Sequence, residues 1–413
     1  MAAPPGRITV VGANFTPEQT GNAPYTTGLA VALAEAGTEV FVLTTAPHYP
    51  QWQVSESYDH WSRESMHQGV CVRRLRHYVP RSPSPLRRLI SETSFGLRAV
   101  TQRWRDPDVV ICVSPALFAT AIVALRRMLL RPRAPLVIWV QDLYGLGVAQ
   151  TDSASGLFAG LVAAIERWTL RSADRVVVIH PRFADHLVRH LGLDEAKVSV
   201  IRNWSHVDLR PARGRDEERT NRGWPEDVVV ALHAGNQGLK QGLENIVEAA
   251  RVAQQRLDPV RYVLLGNGNQ HDRLVALSVG LSTIEFIDTV DDDEFAALLQ
   301  SCDVLLLNES KGVREMSVPS KLTTYFAAER PIVAATHADG AAAEELAAAG
   351  SGTRVEPGVA SALHEAVLDL AADHEASALH SRSGAAYREA HLTESAAVAK
   401  FTDLLADVAS AGG

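Results

Sequence analysis

GNQGLKQGLENIVEAA (235–250) and SVPSKLTTYFAAERPIVAAT (317–336) decide how this chain is read. The first follows the apolar run VVVALHA (228–234), which has the composition of a buried strand. Leu243, Ile246, Val247 and Ala250 then recur at the spacing of one helix face. Lys240 stands at the expected start of that helix. Lys321 stands at the start of the second, just after Pro319, a residue suited to a helix's first turn. A cation at a helix start opposes the helix dipole by roughly 0.3–1 kcal/mol. The placement makes sense when an anion docks between the amides and the lysine. Two such places in one domain point to a diphosphate. The chain's lysines are Lys197, Lys240, Lys311, Lys321 and Lys400, so three of them fall in or beside these two stretches.

Working outward, short β-rich runs alternate with helical stretches. Candidate strands in the first half are 7–13, 39–45, 70–79, 108–114, 136–142, 175–180 and 198–203. Asn22 reads as the N-cap of the first helix, with Pro24 in its first turn and Gly37 at its end. The segment 203–227 is polar and without period, and reads as a linker. Strands resume at 228–234, 261–266, 283–288, 303–308, 331–335 and 352–356, with helices between them. Alternation of this kind predicts an α/β protein with two mostly parallel sheets. The expected domains are 1–205 and 228–380, joined by 206–227, with a C-terminal helix over 381–413. Open α/β sheets bind ligands beyond the carboxyl ends of their strands, and two such domains facing each other make a cleft.

With 413 residues and 46% apolar content, two full cores are expected. A net charge of −8 argues against a general nucleic-acid binder. Cys71, Cys112 and Cys302 have no CxxC spacing and read as packed thiols of a reducing compartment. MAAPPGRITVVGA lacks the pattern of a signal peptide, and no apolar run approaches membrane-spanning length. A cytoplasmic protein is expected.

Residues 71–105 carry Arg73, Arg74, Arg76, Arg81, Arg87, Arg88, Arg98, Arg103 and Arg105 against one acid, Glu92. Interleaved Leu86, Leu89, Ile90, Phe95, Leu97 and Trp104 make the stretch amphipathic. Residues 81–105 are therefore a candidate peripheral contact with the inner face of a membrane, or a solvated helix face. The acidic run Asp291-Asp292-Asp293-Glu294 precedes an apolar helix and reads as a cap with an acidic first turn, so no metal is assigned to it.

Seven stretches, in order along almost the whole chain, carry a family resemblance: 15–37, VQDLYGLGVA (140–149), VVVIHPRFADHL (176–187), VIRNWSHVD (200–208), GNQGLKQGLENIVEAA, LLGNGNQ (264–270) and PSKLTTYFAAERPIVAA (319–335). The sequence resembles glycosyltransferase family 4, retaining nucleotide-sugar transferases of GT-B fold, and is most similar to the bacterial exopolysaccharide and capsule branch. The resemblance implies two Rossmann-like domains facing across a cleft, the C-terminal helix packing back on the N-terminal one. It implies sugar transfer from a nucleoside-diphosphate sugar, without cofactor or metal, to a lipid-linked saccharide or a soluble natural product. One departure stands out. The family's paired glutamates, with seven residues between them, give way to Met316 and Thr324, and Thr324 leaves the donor ribose contact without its usual carboxylate.

The candidate catalytic residues are Asp142, His180, Lys321 and Lys240. Asp142 is placed to orient a hydroxyl or to cap the next loop, and His180 to hydrogen-bond the sugar or to serve its own loop. Asn236 with Lys240, and Ser320 with Lys321, form two phosphate sets, with Gly235 and Gly238 letting the backbone approach the ligand. Gly266 and Asn267 leave space for the base, and Ile287 with Asp288 offers backbone contacts to it. Gly21 and Asn22 form a turn that the resemblance places over the donor phosphates and acceptor. Glu344 is a donor-contacting acid or a plain helix-start acid. Rival readings are another GT-B chemistry, such as a sugar-nucleotide epimerase or hydrolase, and a non-catalytic nucleotide-sugar-binding subunit.

Overall fold

Strands whose residues are buried along their whole length need cover on both faces, and this chain has many of them. In the computed structural model, residues 5–18, 21–49, 51–82, 84–129, 134–143, 156–204, 209, 214–312 and 320–412 are described. The chain forms two units, Met1–Trp204 with Glu394–Gly413, and Ser205–Thr393.

The first unit runs β1 (Arg7–Gly12), α1 (Ala23–Glu35), β2 (Glu39–Thr45), β3 (Ser62–His67), β4 (Val70–Leu75), α2 (Pro85–Val100), β5 (Val109–Ser114), α3 (Leu117–Leu129), β6 (Leu136–Val140), α4 (Gly156–Arg171), β7 (Arg175–Val178), α5 (Pro181–Arg189) and β8 (Val198–Val200). Its sheet has the order β3-β4-β2-β1-β5-β6-β7-β8. Its strand pairs are parallel except β3 with β4. The expected strand over 70–79 is shorter and gains this antiparallel partner. Gln68 (φ 43°) and Gly69 (φ 80°) turn the chain back between them. SRESMH has no apolar face because β3 is an exposed edge, so sequence period does not reveal it.

The second unit runs α6 (Arg215–Arg222), β9 (Val229–Ala234), α7 (Glu244–Arg256), β10 (Val260–Leu265), α8 (His271–Leu277), β11 (Ile284–Ile287), α9 (Asp292–Ser301), β12 (Val304–Asn308), α10 (Ser320–Ala327), β13 (Ile332–Ala335), α11 (Ala341–Ala349), β14 (Thr353–Val355), α12 (Ala360–Ala372) and α13 (His374–His391). Its sheet, ordered β11-β10-β9-β12-β13-β14, is parallel throughout. Tyr262, Leu264 and Leu306 point to one side with Ile246 and Val367, and Leu232, Leu305 and Ile332 to the other with Tyr325 and Phe326.

Part of the expected linker is a helix. Residues 205–208 and 210–213 lie outside the described residues, but α6 packs on α9. Charge holds it there: Arg222 pairs with Glu294 of α9, and just past that helix Arg215 pairs with Asp303 and Arg219 Nη1 lies 3.0 Å from Asp303 Oδ2. An apolar period cannot report a helix docked by arginines. The expected C-terminal helix is also divided. α13 belongs to the second unit, while α14 (Glu394–Gly412) belongs to the first, where Phe401 meets Trp139 at a ring separation of 4.8 Å.

Candidate functional site

At the carboxyl end of the second sheet, the turns after β9 and β10 are stitched to each other and to the end of β11 through their backbones. Gly235 N–H donates to Leu265 O at 2.8 Å, and Gly266 N–H to Ile287 O at 2.8 Å. Gln237 N–H donates to Asn267 O, and Gln270 N–H to Gln237 O, both at 2.9 Å. Gln237 is fully buried, its amide donating to Gly266 O at 2.7 Å and its Oε1 lying 2.9 Å from His271 Nδ1. Gly266 has φ +112°, and a Cβ there would lie 2.5 Å from Gly235 O. Only glycine fits such a crossing. Asn267 donates to Asp288 Oδ1 at 3.0 Å and accepts from Gly268 N–H at 2.7 Å. Ile287 is buried, and its carbonyl is already engaged by Gly266.

Lys321 reaches this cluster from α10. Its Nζ lies 2.8 Å from His233 Nε2, and His233 Nδ1 lies 3.0 Å from Leu306 O. A Cβ on Gly235 would lie 3.1 Å from Lys321 Cε and 3.5 Å from Nζ, so the lysine ends against the bare backbone of the turn. Burial brings the Lys321 ammonium down to about 7, with Glu309 acting in the opposite sense. Burial also raises the Glu309 carboxyl, which takes a hydrogen bond from Thr336 Oγ1. One turn along α10, Tyr325 OH accepts from Ala234 N–H at 2.9 Å and donates to Leu306 O at 3.2 Å. Lys321 and Tyr325, at i and i+4, thus moor α10 to the ends of β9 and β12.

The structure brings together Gly235, Gly266, Asn267, Ile287 and Lys321. Lys240 and Asn236 are exposed. Lys240 lies in a 3₁₀ turn, Leu239–Gln241, and not at a helix start; α7 begins only at Glu244. Asn308 explains the delay. It is buried, and its Nδ2 donates to the carbonyls of Gln241 and Gly242 at 2.7 and 2.9 Å, holding them in a turn. Ser320 begins α10 and Thr324 is half-buried one turn on. Met316 and Pro319 lie outside the described residues, as does the side chain of Ser320. Glu344 is exposed in the first turn of α11, next to buried Glu345. Asp291 Oδ1 caps α9 through Glu294 N–H at 2.9 Å, and Glu294 pairs with Arg222.

In the first unit, Gly21 has φ +68° and Asn22 is buried. Asn22 stands at the cap position of α1 but makes no side-chain cap; its Nδ2 lies 3.5 Å from Ser114 O, tying the turn after β1 to the end of β5. His180 is buried and caps α5, Nδ1 accepting from Arg182 N–H at 3.2 Å. Asp142 is exposed just past β6, its Oδ1 accepting from Leu143 N–H at 2.9 Å. Residues 144–150 of the adjoining motif lie outside the described residues. Sequence reading missed Glu18. It is buried, accepts from His48 N–H at 2.9 Å and Tyr49 N–H at 2.8 Å, and takes the Asn14 amide at 2.9 Å on its other oxygen. Reading also missed His233, Glu309 and Tyr325. A buried strand histidine and a helix tyrosine carry no local signal of a contact made across the sheet.

Among the described residues, no group of three or more His, Cys, Asp or Glu is placed to hold a metal ion, and no helix is long and apolar enough to cross a membrane.

Residues 20–204 match the family described as glycosyl transferase 4-like domain, and residues 214–386 match glycosyl transferases group 1. The putative colanic acid biosynthesis glycosyl transferase WcaI of Escherichia coli (strain K12) is 33% identical over 336 residues, 78% of this chain and 81% of that protein. In fold, the chain is similar to sucrose-phosphate synthase from Thermosynechococcus elongatus, with TM-score 0.75 and 17% identity over 98% of this chain and 99% of that one. It is also similar to Anabaena HepE in complex with UDP, with TM-score 0.71 and 15% identity over 97% of this chain and 100% of that one. With a 4-like domain leading into a group 1 domain on two parallel-rich α/β sheets, the chain belongs to the family 4 glycosyltransferases of GT-B fold.

Proposed function

We propose that this glycosyltransferase moves a hexose or related sugar from a nucleoside-diphosphate sugar to an acceptor hydroxyl, with retention at the anomeric carbon. The observation that carries the reading is Lys321, whose ammonium ends against the bare backbone of the Gly235 turn at the carboxyl edge of the sheet. Open α/β sheets take their ligands at that edge. The UDP complex of HepE, a chain of the same fold, supports a nucleotide donor.

In the proposed reaction, the bond from the anomeric carbon to the phosphate oxygen breaks and the bond to the acceptor oxygen forms on the same face. The acceptor proton passes to the leaving diphosphate. Lys321 stabilises the charge that develops there, the largest electrostatic contribution expected. No cofactor is required, and activity is expected to persist in EDTA; loss on chelation with recovery on Mg²⁺ would overturn the charge-stabilisation scheme. Lys321→Ala removes a charge-assisted contact and should weaken donor binding about 10- to 100-fold. Calorimetry with UDP-, GDP-, ADP- and dTDP-sugars measures this. The anomeric coupling constant in the product's NMR spectrum tests retention.

For the acceptor, α2 favours a lipid-linked saccharide. Leu86, Ile90 and Leu97 form an outward stripe on it, 63%, 44% and 55% exposed, with Arg81, Arg87 and Arg103 also exposed nearby in sequence. An apolar stripe flanked by cations suits an anionic bilayer surface. Binding to anionic vesicles at low salt, lost at high salt, supports that acceptor class and a place at the inner membrane face. A protein that stays in solution with such vesicles at low salt would favour a soluble acceptor.

A further inference from the structure

Lys321 is paired with an imidazole, not a carboxylate. The carbonyl of Leu306 only accepts, so His233 Nδ1 carries the hydrogen and Nε2 presents its lone pair to the lysine. The ring is 0% exposed, and burial, together with the adjacent ammonium, holds it well below its ordinary value and uncharged. The other titratable groups facing this pair are few. Glu309, beyond β12, is raised by burial and occupied by Thr336. His337, beyond β13, acts on Glu309. Tyr325, on α10 itself, is raised by burial and stays neutral, its hydroxyl engaged on both sides.

We infer that His233 is a positioning residue that holds Lys321 in place whether its amine is charged or neutral, so that a diphosphate arriving at the Gly235 turn draws a proton onto Lys321 as it binds. The inference rests on the donor reading above. Either form of the amine can donate to Nε2, so the hydrogen bond persists through titration. The proton comes from solvent, and no covalent bond to the ligand is made. Because burial brings the empty lysine down to about 7, uptake per donor bound should grow as pH rises through neutrality, toward one proton on the alkaline side. Affinity should fall as pH rises on the alkaline side of neutrality.

The test is calorimetry of the whole protein at pH 8 with UDP-, GDP-, ADP- and dTDP-glucose in buffers of different ionisation enthalpy. The diphosphate of a nucleotide sugar is a diester with no group titrating near neutrality, so a buffer-dependent enthalpy reports the protein. The tightest donor should give a slope approaching one proton taken up. Lys321→Arg, charged at every working pH, should still bind and show no uptake. His233→Gln offers an amide to Leu306 and an oxygen to the lysine, and should retain uptake. His233→Phe fills the space without an acceptor and should lose about tenfold or more in affinity at pH 7. Wild-type binding without buffer dependence would overturn the inference, as would equal uptake in Lys321→Arg or wild-type affinity in His233→Phe. Should His233→Phe fail to fold by circular dichroism, the comparison with Lys321→Arg decides. Failure of all four nucleotide sugars to bind the wild type would instead overturn the donor reading, and this inference with it.

Discussion

The two sheets hold the loops at their carboxyl ends by different means. In the second unit, the turns after β9 and β10 exchange backbone hydrogen bonds directly, the second also bonding to the end of β11, and glycine permits the approach. In the first unit, the turn after β1 and the turn after β2 are joined by side chains, chiefly the buried carboxylate of Glu18, with Thr45 Oγ1 at the end of β2 also donating to Ala13 O. A cluster stitched chiefly through its backbone has little to rearrange, which suits a site that must hold Lys321 and the Gly235 turn in fixed positions. A carboxylate hub ties two loops with fewer bonds and can be lost by one substitution, so those loops can change shape without disturbing the sheet.

This contrast can be broken from either side. The largest effect is expected from Gly266→Ala. Its Cβ meets the Gly235 carbonyl and its φ is positive, so the variant should lose about 3 kcal/mol of stability and bind donor poorly. Thermal unfolding and donor titration read both; a stable variant with normal affinity would show that the stitching is slack. Next comes Glu18→Ala, which leaves the His48 and Tyr49 amides without their acceptor. It should cost about 2 kcal/mol, with increased hydrogen exchange confined to 14–18 and 46–49. Exchange that spreads to the second unit would contradict the division drawn here.

A smaller effect, with its sign set by pH, is expected at Glu92. Its carboxyl accepts from Phe118 N–H at 3.1 Å, and burial pushes it up to about 8. The folded state therefore holds a proton that the unfolded state releases at its ordinary, lower value, and stability should fall as pH rises through that window. Glu92→Gln keeps the neutral form at every pH. It should raise the melting temperature at pH 8.5, by an amount matching about 1–2 kcal/mol, and change it little at pH 4.5. The smallest effect belongs to the surface pair Arg256–Glu365, 3.3 Å apart and exposed on both sides. Arg256→Ala should stay within about 0.5 kcal/mol of wild type.

The alternation of β-rich and helical runs made both mostly parallel sheets legible, because buried strands and covering helices leave composition and period behind them. Gly235, Gly266 and Lys321 were legible because glycine turns and helix-start cations are local features. What joins them was not. His233 lies 88 residues from Lys321 in the chain and looks, in VVVALHA, like one more buried strand position. Lys240 read as a helix-start cation because the sequence does not reveal Asn308 holding the turn before α7. β3 and α6 were hidden for one reason: an exposed edge strand and a helix docked by arginines both lack the apolar period on which sequence reading depends.

The return of α14 to the first unit bears on the order in which the chain becomes protein. Trp139 reaches its ring partner Phe401 only across the whole of the second unit's sequence. Domains ordinarily complete themselves as they leave the ribosome, N-terminal ones first. Here the earliest-made sheet must wait with Trp139 incompletely covered while residues 205–393 are synthesised. The second unit has its own cores and can fold in that interval. The unit begun first is therefore finished last, and a ribosome stalled before Phe401 would carry a folded second unit beside an unsealed first one.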